Sequence, residues 1–79
     1  MFKNKNADGS LNICGKKIAV LRKNLGISQR QLADGLQLAG MDLSKNAVQQ
    51  IESGERFVTD IELKAMAEFF KVKTDELLS

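Results

Sequence analysis

Ser44-Lys45-Asn46-Ala47-Val48-Gln49-Gln50-Ile51-Glu52-Ser53-Gly54 is the stretch on which the reading of this chain turns. Ser is a preferred helix N-cap, because its hydroxyl accepts from an otherwise unpaired backbone N–H in the first turn. Gly is the usual residue at the other end, where the chain leaves the helix in a left-handed conformation. Between them Ala47, Val48 and Ile51 fall on one side of a 3.6-residue period, which leaves Lys45, Asn46, Gln49 and Gln50 on the other. The product is a short rod over residues 45–52 with an apolar back and an amide-rich front.

Working outward, the same grammar recurs. Upstream, Ser28-Gln29-Arg30-Gln31 has the form of a capping box, in which Ser accepts from the backbone and Gln reaches back. The helix it opens would bury Leu32, Ala33 and Leu36. Before it, Cys14, Ile18, Leu21 and Leu25 are spaced by four, three and four, a helical stripe that Gly26 would end as a left-handed cap. Downstream, Thr59-Asp60-Ile61-Glu62 is a second capping box, and Val58 and Leu63 stand where a hydrophobic staple would clamp the entry. Leu63, Met66, Ala67 and Phe70 continue the stripe, and a short helix over Thr74 to Leu78 would close the core with Leu77 and Leu78. Met1 to Asn12 is polar and lacks periodicity, so it is read as a flexible tail, with residues 13–79 as the folded domain. With no Pro and no alternating run that suits a strand, the fold class is all-α: a compact five-helix bundle.

Composition narrows the chemistry. A chain of 79 residues with 43% hydrophobic and 28% charged residues suits one small domain, whose core supplies ~3–5 kcal/mol of stability. With no His and one Cys, the chain has no nucleophile–His pair, no zinc cluster and no internal disulfide. No apolar run approaches a membrane span, and the expected compartment is the cytoplasm. The acid pairs Asp60/Glu62 and Asp75/Glu76 lie at helix starts, where capping and the macrodipole account for them. An enzyme is therefore not expected, nor is any cofactor or metal. The charge is uneven. Residues 1–30 carry Lys3, Lys5, Lys16, Lys17, Arg22, Lys23 and Arg30 against Asp8, a net +6, whereas residues 31–54 and 55–79 each carry −2. A basic front is what an anionic partner would meet, although solvated helix surfaces produce the same asymmetry.

Three blocks taken in order resemble one family. Cys14 to Arg22 followed by Gly26-Ile27-Ser28-Gln29 and Leu32-Ala33 is similar to the opening of the phage-repressor/Cro-like (XRE-type) helix-turn-helix family. Ser44 through Ile51-Glu52-Ser53-Gly54 resembles its recognition helix and Ile-Glu-x-Gly ending. Glu62 to Ala67 and Val72 to Leu78 fit its closing helices. The resemblance implies a lambda-repressor-like fold that binds double-stranded DNA, usually as a homodimer on a two-fold operator, and regulates transcription, here as a repressor. One departure stands out. From Leu36 to Ser44 the connection is about five residues longer than the usual tight turn. The second helix would run another turn through Leu38, followed by Gly40-Met41-Asp42, with Leu43 packed inside.

On this resemblance Lys45, Asn46 and Gln50 are base readers, with Gln49 as a fourth. Asn and Gln can bond adenine in bidentate fashion, and Lys can reach guanine O6 and N7. Ala47 would touch a thymine methyl or else the core. Gln29, at a helix start, would grip a phosphate and buttress the recognition helix. Ser28, Ser53 and Arg56 are further phosphate candidates, each with a plainer reading as cap, turn or surface residue. Arg22 and Glu52 would form a structural salt bridge. Cys14 is a core residue rather than a redox sensor, and Phe70 is core, while Phe69 lies off the stripe and is a candidate dimer contact. Lys3 and Lys5 would form an arm along DNA or a solubilising tail. The alternative function is a protein-interaction module or antitoxin on the same fold, gripping a protein partner through an equivalent surface.

Overall fold

The computed structural model describes residues 5–79. Its helices are α1 (Gly15–Asn24), α2 (Gln29–Leu38), α3 (Lys45–Ser53), α4 (Asp60–Phe70) and α5 (Thr74–Leu78), and no strand occurs among the described residues. Several boundaries follow from a local device. Ser28 accepts from the Gln31 N–H while the Gln31 side chain accepts from the Ser28 N–H, and Thr59 and Glu62 repeat the arrangement at α4. Ser44 caps α3 by accepting from the Ala47 N–H, and Gly54 ends it at φ +81°. Gly26, at φ +71°, turns the chain after α1.

The core gathers one stripe from each helix: Cys14 and Ile18, then Leu32, Ala33 and Leu36, then Val48 and Ile51, then Met66 and Ala67, and lastly Leu77. Leu43 from the long connection joins them at 2% exposure. Leu21, Leu63, Phe70 and Val58 pack against this centre from partly buried positions. Two expected core residues fall outside it. Leu25 keeps a helical backbone and donates to the Leu21 carbonyl, yet at the last turn of α1 it is 58% exposed. Leu78 is 44% exposed because it follows the buried Leu77 by about 100° of helical rotation. Leu38, at 91%, completes the extra turn of α2 on its solvent side.

The lengthened connection is built into the fold. The Met41 N–H donates to the Leu36 carbonyl (2.9 Å), the Gly40 N–H to the Gln37 carbonyl, and the Gln37 side-chain amide to the Leu43 carbonyl (3.0 Å). With Leu43 plugged into the core, the start of α3 is anchored despite its distance along the chain from the end of α2.

Residues 6–12, read as a tail from their composition, carry a set of local hydrogen bonds and others to the end of α3. Asn6 donates through its amide to Ser10 Oγ and to the Asn12 carbonyl, and Asp8 accepts from the Ser10 N–H and hydroxyl. These two hydrogen bonds hold the exposed Asp8 carboxyl below the usual carboxylate range. The Leu11 N–H reaches the Gly54 carbonyl (2.8 Å). Short polar side chains that bond nearby backbone can fold a segment with no apolar periodicity. Lys5 is exposed at the start of this segment, and Lys3, its companion in the expected arm, lies outside the described residues.

Candidate nucleic-acid interface

α3 packs its apolar back against α1 and α2. Val48 and Ile51 are buried, Ala47 is half-buried against the core, and Lys45, Asn46, Gln49 and Gln50 are all exposed. None of these four side chains has a hydrogen-bond partner among the described residues, so their donors and acceptors are free for a ligand. Residues 46 and 50, like 45 and 49, are one turn apart, which is about 6 Å along the axis at ~1.5 Å per residue. That is close to two base-pair steps of ~3.4 Å. A helix of this diameter fits a groove ~12 Å wide.

The rear of α3 is held by one carboxylate. Glu52 Oε2 accepts from Arg22 Nε at 2.7 Å, and Oε1 accepts from Arg22 Nη2 at 3.1 Å and from Gln29 Nε2 at 3.0 Å. Arg22 Nη1 donates onward to the Ile27 carbonyl at 2.8 Å. Four parts of the chain meet here: α1, the turn after it, the start of α2 and the end of α3. The two charged side chains are 12% and 8% exposed, and the carboxylate raises the Arg22 pKa further. The expected Arg22–Glu52 bridge is thus present, and Gln29 joins it. One amide proton of Gln29 is committed to Glu52, while its second proton and its carbonyl remain at the helix start.

Helix ends set the local field. Neither α2 nor α3 has an acidic residue in its first turn, whereas α4 has Asp60 and Glu62, and α5 has Asp75 and Glu76. No first-turn carboxylate therefore offsets the partial positive charge at the starts of α2 and α3, which favours an anion there. Arg30, not singled out from the sequence, lines a shallow cleft with Lys45 and Asn46, with Asp34 beside it. Its only sequence signal was its place next to Gln29 in the first turn of α2.

Other phosphate candidates have partners within the protein. Ser28 is occupied as the α2 cap. The Ser53 hydroxyl lies 3.1 Å from the Gln50 carbonyl and 2.9 Å from Glu55 Oε1, and that carboxylate opposes a second anion. Arg56 forks Glu62, with Nη1–Oε1 and Nη2–Oε2 both at 3.2 Å, so its guanidinium is tied to the α4 capping box. Phe69 lies against Gly35 of α2 and edge-on to Phe70, with ring centroids 5.1 Å apart. Its off-stripe position is explained by the missing Cβ opposite it. Cys14 is buried at 2% exposure, and burial pushes its thiol pKa up, as befits an inert core residue.

Comparison with known proteins agrees with this geometry. The profile of a helix-turn-helix family matches residues 18–77. A crystal structure of the DNA-binding domain of BldD is similar to this chain at 28% identity, covering 86% of this chain and 92% of that one, with a TM-score of 0.65. No curated protein matches the sequence.

Proposed function

The chain belongs to the helix-turn-helix family, and we propose that it binds double-stranded DNA sequence-selectively as a transcriptional regulator, a repressor, in the cytoplasm. α3 enters the major groove with Lys45, Asn46, Gln49 and Gln50 toward base edges, and Ala47 beside them can meet a thymine methyl. The start of α2, with Gln29 and Arg30, lies over a phosphate. Glu52 links these two parts, so a backbone contact at Gln29 and the orientation of α3 are mechanically connected. The observation that carries this reading is the free polar face of α3, braced from behind and with no acidic residue in its first turn. The likeness to a structure described as a DNA-binding domain supports it.

A nine-residue helix spans only a few base pairs, so two copies on half-sites ~10 bp apart supply the remaining affinity and selectivity. No catalytic step belongs to this function. The deciding experiment is binding to a genomic-fragment library at fixed moderate salt, with an Asn46→Ala/Gln50→Ala variant alongside. Wild-type protein should enrich a subset of fragments, and the variant should lose that enrichment while keeping most of its non-specific binding. Equal enrichment of all fragments by both proteins overturns the assignment.

A further inference from the structure

We infer that Asn12 is a positioning residue that clasps the trailing end of the recognition helix to the body of the domain. The inference rests on the DNA-binding reading for its functional consequence and on local geometry for its substance. The Asn12 amide nitrogen donates to the Ile51 carbonyl at 3.0 Å and to the Arg56 carbonyl at 2.8 Å, and its Oδ1 accepts from the Gly15 N–H at 2.8 Å. One side chain thereby joins the first N–H of α1, the last turn of α3 and the loop beyond it. The neighbouring Leu11 N–H adds a bond to the Gly54 carbonyl. Carbonyls in the last turn of a helix have no partner within it, so an external donor defines where that end sits.

The close approach at Gly15 supports the same role. A Cβ there would overlap the Ile51 carbonyl oxygen and lie 2.9 Å from Asn12 Oδ1. The backbone of α1 and the end of α3 are thus as near as a residue without a side chain allows, and Asn12 fills the angle between them. This contact and the Glu52 network bind adjacent residues of α3 from different directions. Two such attachments fix both the tilt and the rotation of a short helix, and with them the aim of the amides at Asn46, Gln49 and Gln50.

The test compares wild-type protein with Asn12→Asp and Asn12→Ser in the full chain. Asp keeps the acceptor for Gly15 but turns an oxygen toward two carbonyls. Ser keeps a hydroxyl near Gly15 but is too short to reach the carbonyls. Affinity is measured for a duplex selected by the wild-type protein and for an unselected duplex, at a temperature where circular dichroism shows each protein folded. Amide exchange is followed at Gly54, whose N–H shares the Ile51 carbonyl, and at Ile18 as an α1 reference. Both variants should lose selected-over-unselected preference by roughly tenfold, the scale of one lost base contact. Gly54 should exchange faster while Ile18 does not. If Asn12→Asp does not fold, Asn12→Ser decides alone. Wild-type preference together with wild-type Gly54 exchange in the folded variants overturns the clasp. A wild-type protein with no preference for any duplex overturns the DNA reading instead, and Gly54 exchange then decides the clasp by itself.

Discussion

Arg22 and Glu52, thirty residues apart in the chain, are joined by two hydrogen bonds of 2.7 and 3.1 Å in a setting where neither side chain is more than 12% exposed. A bidentate pair so enclosed is costly to break from one side, because the remaining charge keeps its desolvation penalty without its partner. Arg22→Ala should therefore destabilise the domain by about 3 kcal/mol. Lys23→Ala, which removes an exposed neighbour with no ion pair among the described residues, should stay within about 0.5 kcal/mol. Thermal unfolding of the two variants checks this, and equal shifts would show that the bridge contributes nothing special.

Gly15 makes a second prediction. Adding one methyl drives it into the Ile51 carbonyl, which is backbone and cannot rotate away. Gly15→Ala should cost about 1–3 kcal/mol through overpacking, even though alanine is the better helix former. Gly9, with open space around its α-carbon but φ +89°, gives a contrast in which any loss comes from backbone strain alone. Denaturant midpoints would separate the two. A neutral or stabilising Gly15→Ala would mean that α1 and α3 can move apart freely.

Much of this architecture was legible because it is local. Capping boxes at Ser28 and Thr59, the cap at Ser44 and the stop at Gly54 are each written within four or five residues, and the structure has all of them. The apolar back and polar front of α3 follow from one period. What escaped depends on distance or on where a period ends. The Asn12 amide meets carbonyls 39 and 44 residues away, and no spacing rule connects them. The partners of Arg56 and Ser53 were hidden for a related reason: a charged or hydroxyl side chain at a turn looks the same whether it is free or paired. Leu25 and Leu78 were misplaced because a helical stripe does not say where the packing against it ends. Phe69 gave no signal until Gly35 was seen beneath it.

The long connection offers a third prediction. Leu43 lies within it and Leu38 ends the helix before it, yet one is 2% exposed and the other 91%. Leu43→Ala should cost about 2–4 kcal/mol, through lost burial and the cavity left behind. Leu38→Ala should change stability by less than about 0.5 kcal/mol. Because Leu43 immediately precedes the α3 cap, its loss should also loosen the leading end of that helix. Faster exchange at Ala47 and Val48 in Leu43→Ala, measured under conditions where the domain stays folded, would register this. Equal stability losses at the two leucines would mean that the connection is not anchored by its apolar plug.

Cys14 yields a prediction in pH. Burial favours the neutral thiol, so its pKa in the folded protein lies above the ordinary value that it has when unfolded. Below that ordinary value both states hold the proton and the residue adds no pH dependence. As pH rises past it, the unfolded chain releases the proton while the folded chain keeps it, and stability falls by up to ~1.4 kcal/mol per pH unit until the folded-state pKa is reached. Lysines and arginines titrate in the alkaline range too, so the informative quantity is a difference between proteins. Cys14→Ala should be less stable than wild type at neutral pH because it opens a cavity, and the gap should narrow steadily in denaturant titrations carried above the thiol range. Thiol labelling provides an independent check at neutral pH: a reagent should modify Cys14 no faster than the domain opens, and labelling at the rate of a free thiol would show that the residue is not enclosed by the core.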